Sequence, residues 1–169
     1  MPSMFISVFL IGGLILGLYA IGQFFYGNEP EKRNVDFACV ALDARKAVDW
    51  PLYTPQSVPE GWTSNFASFE PGNEAVWRMG IITENDKYLG LEQNALPVQD
   101  ALEKYAPNSK QTGTVEITGN VWDVYEDGNG TTSYIRVEQD RVVLVVSTTE
   151  ESVARAYIAS LGTADVGCN

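Results

Sequence analysis

The sequence predicts an α+β protein in two parts: an N-terminal transmembrane helix and one water-soluble domain whose mainly antiparallel sheet is flanked by helices. Three observations carry that expectation. Met1–Asn28 hold no charged side chain, whereas all 11 Lys/Arg and all 22 Asp/Glu of the 169-residue chain come after them. Short alternating segments separated by turn residues dominate the remainder, and hairpins of this kind make antiparallel neighbours. One segment, Val142–Val146, is apolar on both faces and requires cover above and below. The expected organisation is an anchor over 1–28, a linker over 29–35 and a domain over 36–169.

A helix rises about 1.5 Å per residue and a hydrocarbon core is about 30 Å thick, so about 20 apolar residues cross it. Met4–Tyr26 meets that requirement, with Gln23 its one strongly polar side chain. Phe24, Phe25 and Tyr26 suit an interfacial aromatic belt, and Asn28-Glu29-Pro30 stop the helix. A cleaved signal peptide would need a basic leading segment, an apolar core of about 7–15 residues and small residues before the cut. Met1-Pro2-Ser3 carries no base, and the candidate cut after Ala20 has Leu18 where a small residue belongs. A retained anchor, in the lipid bilayer through residues 4–26, is the expectation.

Orientation carries opposing signals. No Lys or Arg precedes the span, while Lys32, Arg33, Arg45 and Lys46 follow it, which by the positive-inside rule places the domain in the cytoplasm. The two cysteines argue for an oxidising compartment, and the extracytoplasmic side of the cell membrane is the expectation. Within the span, Gly13-Leu14-Ile15-Leu16-Gly17 is a G-x-x-x-G. Gly13, Gly17 and Ala20 share one helix face, where small residues let another membrane-protein helix approach closely. Glycine is also common in membrane helices for no such reason, so both readings stand.

The domain is acidic. The net charge of −11 falls entirely on it and excludes nucleic acid and anionic lipid as partners by repulsion. A helix is expected over about Val35–Val48, with Phe37, Ala38, Ala41, Leu42 and Arg45 at helical spacing and Trp50-Pro51 ending it. Tyr53-Thr54-Pro55 and Pro59-Glu60-Gly61-Trp62 form a stiff lead-in. Strands follow at Trp62–Phe69, at Ala75–Thr83 with Trp77, Met79 and Ile81 on one face, and at Tyr88–Gln93 with Leu89 and Leu91 on one face. Pro97–Tyr105 reads as a helix with the stripe Val98, Ala101, Leu102 and Tyr105.

Gly113–Thr118 and Val121–Glu126 flank Gly119-Asn120 as a tight hairpin, and Ser133–Glu138 and Arg141–Ser147 flank Gln139-Asp140. The last helix starts near Glu150, with Thr148 or Thr149 as N-cap, a stripe of Val153, Ala154, Tyr157, Ile158 and Leu161, and Gly162 as its end. The order α-βββ-α-ββββ-α resembles, at the level of fold alone, the α/β/α sandwich of the PsbP and Mog1 group.

Histidine is absent, which removes Ser-His-Asp and Cys-His catalysis in their usual forms and nearly all zinc and copper sites. No phosphate-binding glycine loop is present. No catalytic, metal or cofactor residue is therefore assigned. Asp127-Gly128-Asn129-Gly130-Thr131 is faintly calcium-loop-like, with Glu138 at the twelfth position, but Thr132 stands where the sixth-position glycine belongs, so a hairpin loop is expected. Trp50, Trp62, Trp77 and Trp122 are expected to pack in the core rather than to form a sugar platform.

Cys39 and Cys168 are the only cysteines, one just after the anchor and one next to last. A disulfide between them is expected. Closing so long a loop stabilises by about 4–5 kcal/mol, less any strain.

The sharpest polar site comes from register. For Trp77/Met79/Ile81 and Leu89/Leu91 to share a face, the loop between the strands must be the three residues Glu84–Asp86. That register sets Arg78 opposite Glu92, Gly80 opposite Gly90 and Ile82 opposite Tyr88. The facing glycines suggest a shallow dent beside an Arg–Glu pair, a possible recognition site. The plainer reading is a cross-strand ion pair with glycines that allow close packing.

Tyr53-Thr54-Pro55…Pro59-Glu60-Gly61-Trp62, Trp77-Arg78-Met79-Gly80-Ile81 and Tyr88-Leu89-Gly90-Leu91-Glu92-Gln93 together resemble an actinobacterial family of single-pass membrane proteins known only as a domain of unknown function. The resemblance covers nearly the whole chain and implies a high-GC Gram-positive source and an extracytoplasmic domain. It implies no activity, cofactor or catalytic residue. This chain departs from the pattern in lacking basic residues before the span.

The functional expectation is a non-catalytic, membrane-anchored accessory subunit of a larger membrane or envelope complex, a respiratory supercomplex being one candidate. The alternative is an extracytoplasmic binding module for a small cell-envelope or lipid ligand. An enzyme would need unusual carboxylate or Ser/Lys chemistry that no spacing here suggests.

Overall fold

The computed structural model describes residues 34–168. The expected anchor over 4–26, its Gly13/Gly17/Ala20 face and the linker before Asn34 lie outside the described residues. Among the described residues no helix is long and apolar enough to cross a membrane.

The described residues form three helices and nine strands, in the order α1 (Phe37–Lys46), β1 (Thr54–Pro55), β2 (Thr63–Glu70), β3 (Val76–Ile82), β4 (Tyr88–Asn94), α2 (Val98–Tyr105), β5 (Lys110–Ile117), β6 (Asn120–Glu126), β7 (Thr132–Glu138), β8 (Arg141–Ser147), α3 (Glu151–Ala159) and β9 (Leu161–Gly162). Seven strands form one sheet in the order β2-β3-β4-β8-β7-β6-β5, and every neighbouring pair is antiparallel. β8 lies at its centre, as its doubly apolar sequence requires. One face packs Trp77, Met79, Leu91, Val143 and Val145 against Ala41 and Ala44 of α1 and against Ala154, Tyr157 and Ile158 of α3. The other packs Ile135, Val142 and Leu144 against Ala101 and Leu102 of α2.

Local chemistry explains the element ends. Asp36 caps α1 by accepting from the Ala38 and Cys39 amides at 3.1 and 3.3 Å, and Arg45 and Lys46 sit in its last turn, where the helix dipole favours cations. The buried face of α1 is Ala38, Ala41 and Ala44 rather than one containing Leu42, which is half-buried. Small side chains bring that helix close to the sheet.

Three expected details are corrected. Ile117 pairs with Asn120, so the hairpin turn is Thr118-Gly119, not Gly119-Asn120. Both turn residues have positive φ, 51° and 79°, the mirror-type turn that matches strand twist, and glycine takes its second position. Neither Thr148 nor Thr149 caps α3: Glu150 stands at the N-cap with no side-chain bond. The hydroxyls are used elsewhere, since Thr148 Oγ1 accepts from the Tyr88 amide and Thr149 Oγ1 lies 2.8 Å from Ser147 Oγ. Finally, α3 ends at Ala159 with Ser160 as its cap, so neither Leu161 nor Gly162 belongs to it. Those two residues form β9 and pair with Thr54–Pro55 of the lead-in. The Gln56 side chain lies over Gly162, where a Cβ would stand 2.8 Å from it.

The lead-in is held by buried polar groups. Gln93 accepts from the Tyr53 amide at 2.6 Å and donates to the Pro51 carbonyl at 3.0 Å, and the Trp77 indole donates to the Tyr53 carbonyl at 3.0 Å. Trp50, Trp77 and Trp122 are buried in the core, and Trp62 is half-buried. Cys39 and Cys168 form a disulfide with a Cα–Cα distance of 4.7 Å, which fastens the tail after β9 to α1.

Candidate functional site

The β3–β4 hairpin turns through Glu84–Asp86, with the Thr83 amide donating to the Lys87 carbonyl at 2.8 Å and Asp86 at φ 56°. Its register is the one the alternation requires: Arg78 faces Glu92, Gly80 faces Gly90 and Ile82 faces Tyr88. The pairing of β2 sets Phe66 beside Gly80 and Ser68 beside Arg78, and so brings β2 side chains onto the same face.

The two glycines leave no dent. A Cβ on Gly80 would lie 2.5 Å from the Phe66 ring, and one on Gly90 would lie 2.6 Å from the Tyr88 hydroxyl. Two aromatic side chains therefore lie flat over the bare backbone and fill the space. Glycine serves here to let rings cover the sheet, a known partnership of glycine and aromatic neighbours in strands.

Arg78 and Glu92 face one another without a hydrogen bond. Arg78 Nε and Glu92 Oε2 stand 4.0 Å apart, and both atoms are buried without a partner among the described residues. The guanidinium is drawn instead to Glu70 on the outer strand, with which it forms an ion pair. Glu92 is only 8% exposed. Burial pushes its carboxyl up to about 8, against the pull of Arg78 and Lys104 and with a smaller push from Glu70. At neutral pH the group is mostly a protonated acid that can both donate and accept. Tyr88 is pushed up to about 12, chiefly by burial and then by the Glu92 charge.

Sequence reasoning placed the Arg78/Glu92 pair but missed the groups that tune it. Phe66 and Glu70 were legible in principle from the alternation of β2, but an irregularity between Ser64 and Phe66 shifts that register. Lys104 of α2 acts on Glu92 through its charge alone, across a helix–sheet crossing that no local pattern encodes. A second cluster was also missed. Arg136 lies 5.1 Å from the Tyr53 ring centre and 5.0 Å from that of Trp122, pairs with Glu138 at 2.7 Å, and Tyr53 donates to Glu138 at 2.8 Å. It joins the lead-in to the β7–β8 hairpin.

Two further groups are resolved. Asp127 Oδ1 accepts from the Asn129 and Thr131 amides at 2.7 and 3.0 Å, so the segment is a hairpin loop, and these bonds hold its carboxyl below the usual range. Asp36, Cys39 and Cys168 place three potential ligand atoms within 4.8 Å of one another, but both sulfurs are consumed by the disulfide.

The family described as Protein of unknown function (DUF4245) matches residues 1–161. No curated protein matches the chain.

Proposed function

This chain belongs to the DUF4245 family, and from that premise we propose a non-catalytic, membrane-anchored protein that accompanies a larger membrane or envelope complex, with its acidic domain outside the cytoplasm. The observation that carries this reading is the division of the sequence. A charge-free run of spanning length, Met4–Tyr26, precedes a domain that holds the whole net charge of −11. The Cys39–Cys168 disulfide supports an oxidising compartment. Trp77, Met79, Leu89 and Leu91 are 0% exposed, so these core positions offer no surface to a ligand. The Gly13/Gly17/Ala20 face is the proposed contact with partner helices. An actinobacterial source and a respiratory-chain assembly are the setting we favour. Helices on both faces of an antiparallel sheet are the layers of the PsbP and Mog1 group, a likeness of architecture alone.

Fractionation tests the topology. The chain is expected to stay in membranes washed with alkaline carbonate, and its domain to be cut by protease added to intact spheroplasts. Release by carbonate would remove the anchor, and protection of the domain would reverse the orientation.

A further inference from the structure

Arg78 stands between two carboxylates and bonds only one of them. Its guanidinium forms an ion pair with Glu70 of β2, the end strand of the sheet, while its Nε stands 4.0 Å from Glu92 Oε2 of β4. The two acids differ in setting: the Glu70 side chain is 61% exposed, whereas Glu92 is 8% exposed. Arg78 Nε and Glu92 Oε2 are both buried, and neither has a hydrogen-bond partner among the described residues. Neither atom is open to an occupant from outside. The leftover donor and the leftover acceptor face one another.

The gap has a physical reason. Desolvation penalises a buried anion, so burial pushes the Glu92 carboxyl up to about 8, opposed by Arg78 and then Lys104 and aided by Glu70. Below that value Glu92 is a neutral acid and a weak partner for a guanidinium, and the exposed Glu70 carboxylate holds Arg78 instead. Loss of the proton reverses the preference, because a bare carboxylate inside the fold is costly unless it is paired. Arg78 is the one cation within 4.0 Å of it among the described residues. An approach of about 1 Å turns the gap into a charge-assisted hydrogen bond. The other groups around Glu92 do not compete. Lys104 acts from α2 through its charge, Tyr88 of β4 is pushed up to about 12 and stays neutral, and the neighbour on β8 is Leu144.

We infer that Arg78 changes partner when Glu92 loses its proton: the guanidinium closes on Glu92 and releases Glu70. The proton leaves for solvent, and no covalent bond changes. A buried titration is thereby displayed on the surface. On the acid side Arg78 neutralises Glu70, and on the alkaline side a free carboxylate stands on the end strand. The same exchange removes a side-chain tie between β2 and β3 and makes one between β3 and β4. As pH rises, the outer edge of the sheet becomes both more negative and less firmly held.

The test is carbon-detected NMR of the full chain in detergent micelles, labelled in arginine and glutamate, from about pH 6 to about pH 10, either side of the Glu92 midpoint. Detection on carbon avoids dependence on exchangeable protons. Glu92→Gln, Glu70→Gln and Arg78→Lys assign the three side chains. The expected result is one midpoint, at about 8, shared by the Glu92 carboxyl carbon, Arg78 Nε and the Glu70 carboxyl carbon. In Glu92→Gln the Arg78 and Glu70 signals are expected to stay still. Hydrogen exchange gives a second reading. Amides linking β2 to β3 near Glu70, where Phe69 pairs with Trp77, should lose protection about two- to fivefold across the midpoint, the value of a surface ion pair, while those of β8 hold. A Glu92 carbon that titrates while Arg78 Nε stays fixed overturns the exchange. So does an Arg78 step that persists in Glu92→Gln, or a Glu92 carboxyl already charged at the acid end of the range. A Glu70 signal with no step at the Glu92 midpoint in the parent overturns it too, so the outcome does not hinge on the folding of Glu92→Gln. The exchange needs neither the anchor nor a partner, so its result is separate from that of the carbonate wash.

Discussion

Burial holds the Glu92 carboxyl up to about 8, and this makes stability depend on pH in a defined sense. An unfolded glutamate titrates near 4.3, so between that value and about 8 the folded state holds a proton that the unfolded state has lost. The favourable contribution of the protonated acid is fully present below the unfolded value and is lost as pH rises through the folded one. Glu92→Gln, which keeps the neutral shape, is therefore expected to be nearly neutral at pH 4 and to exceed the parent by about 1–3 kcal/mol at pH 9. Urea unfolding across that range checks it, and a flat difference would contradict it. Gly90→Ala must displace the Tyr88 ring and is expected to cost about 1–3 kcal/mol, with a matching loss for Gly80→Ala through Phe66. Thr118 is a β-branched residue at φ 51°, so Thr118→Asn is expected to stabilise by about 0.5–1 kcal/mol, read as a rise in melting temperature. Which side chains face each other across β3 and β4 was legible from alternation. Where the Arg78 guanidinium settles was not, because that depends on Glu70, delivered by an irregular outer strand.

The disulfide closes a loop over a separation of 129 residues. By chain entropy alone it contributes about 4–5 kcal/mol, so a Cys39→Ala/Cys168→Ala double variant is expected to lose roughly that much, less any relief of strain. Guanidinium unfolding of the oxidised, reduced and double-variant proteins checks it: the last two should agree and fall below the first. The pairing was legible because only two cysteines exist. Helices and long strands were legible too, since 3.6-residue and alternating periods are written in adjacent residues. The short pair β1–β9 was not, because its two-residue strands carry no period and meet only through tertiary folding. The α3 cap failed for a similar reason, its hydroxyls being claimed by β4 and by Ser147.

For the whole molecule, the seven-stranded antiparallel sheet with helices on both faces follows from hairpin spacing and from one strand apolar on both sides. The candidate site was half legible: the polar pair was visible in register, whereas the aromatic cover was not, since Phe66 reaches Gly80 from an irregular neighbouring strand and Tyr88 folds back over Gly90 within its own. The central claim concerns partnership, and affinity purification of the full chain from digitonin tests it most directly. The account predicts that at least one integral membrane protein co-purifies in a fixed ratio. A Gly13→Leu/Gly17→Leu variant should lose that partner while keeping the disulfide intact. A chain that elutes as a monomer with no membrane protein, both from digitonin and after crosslinking in intact cells, would contradict it.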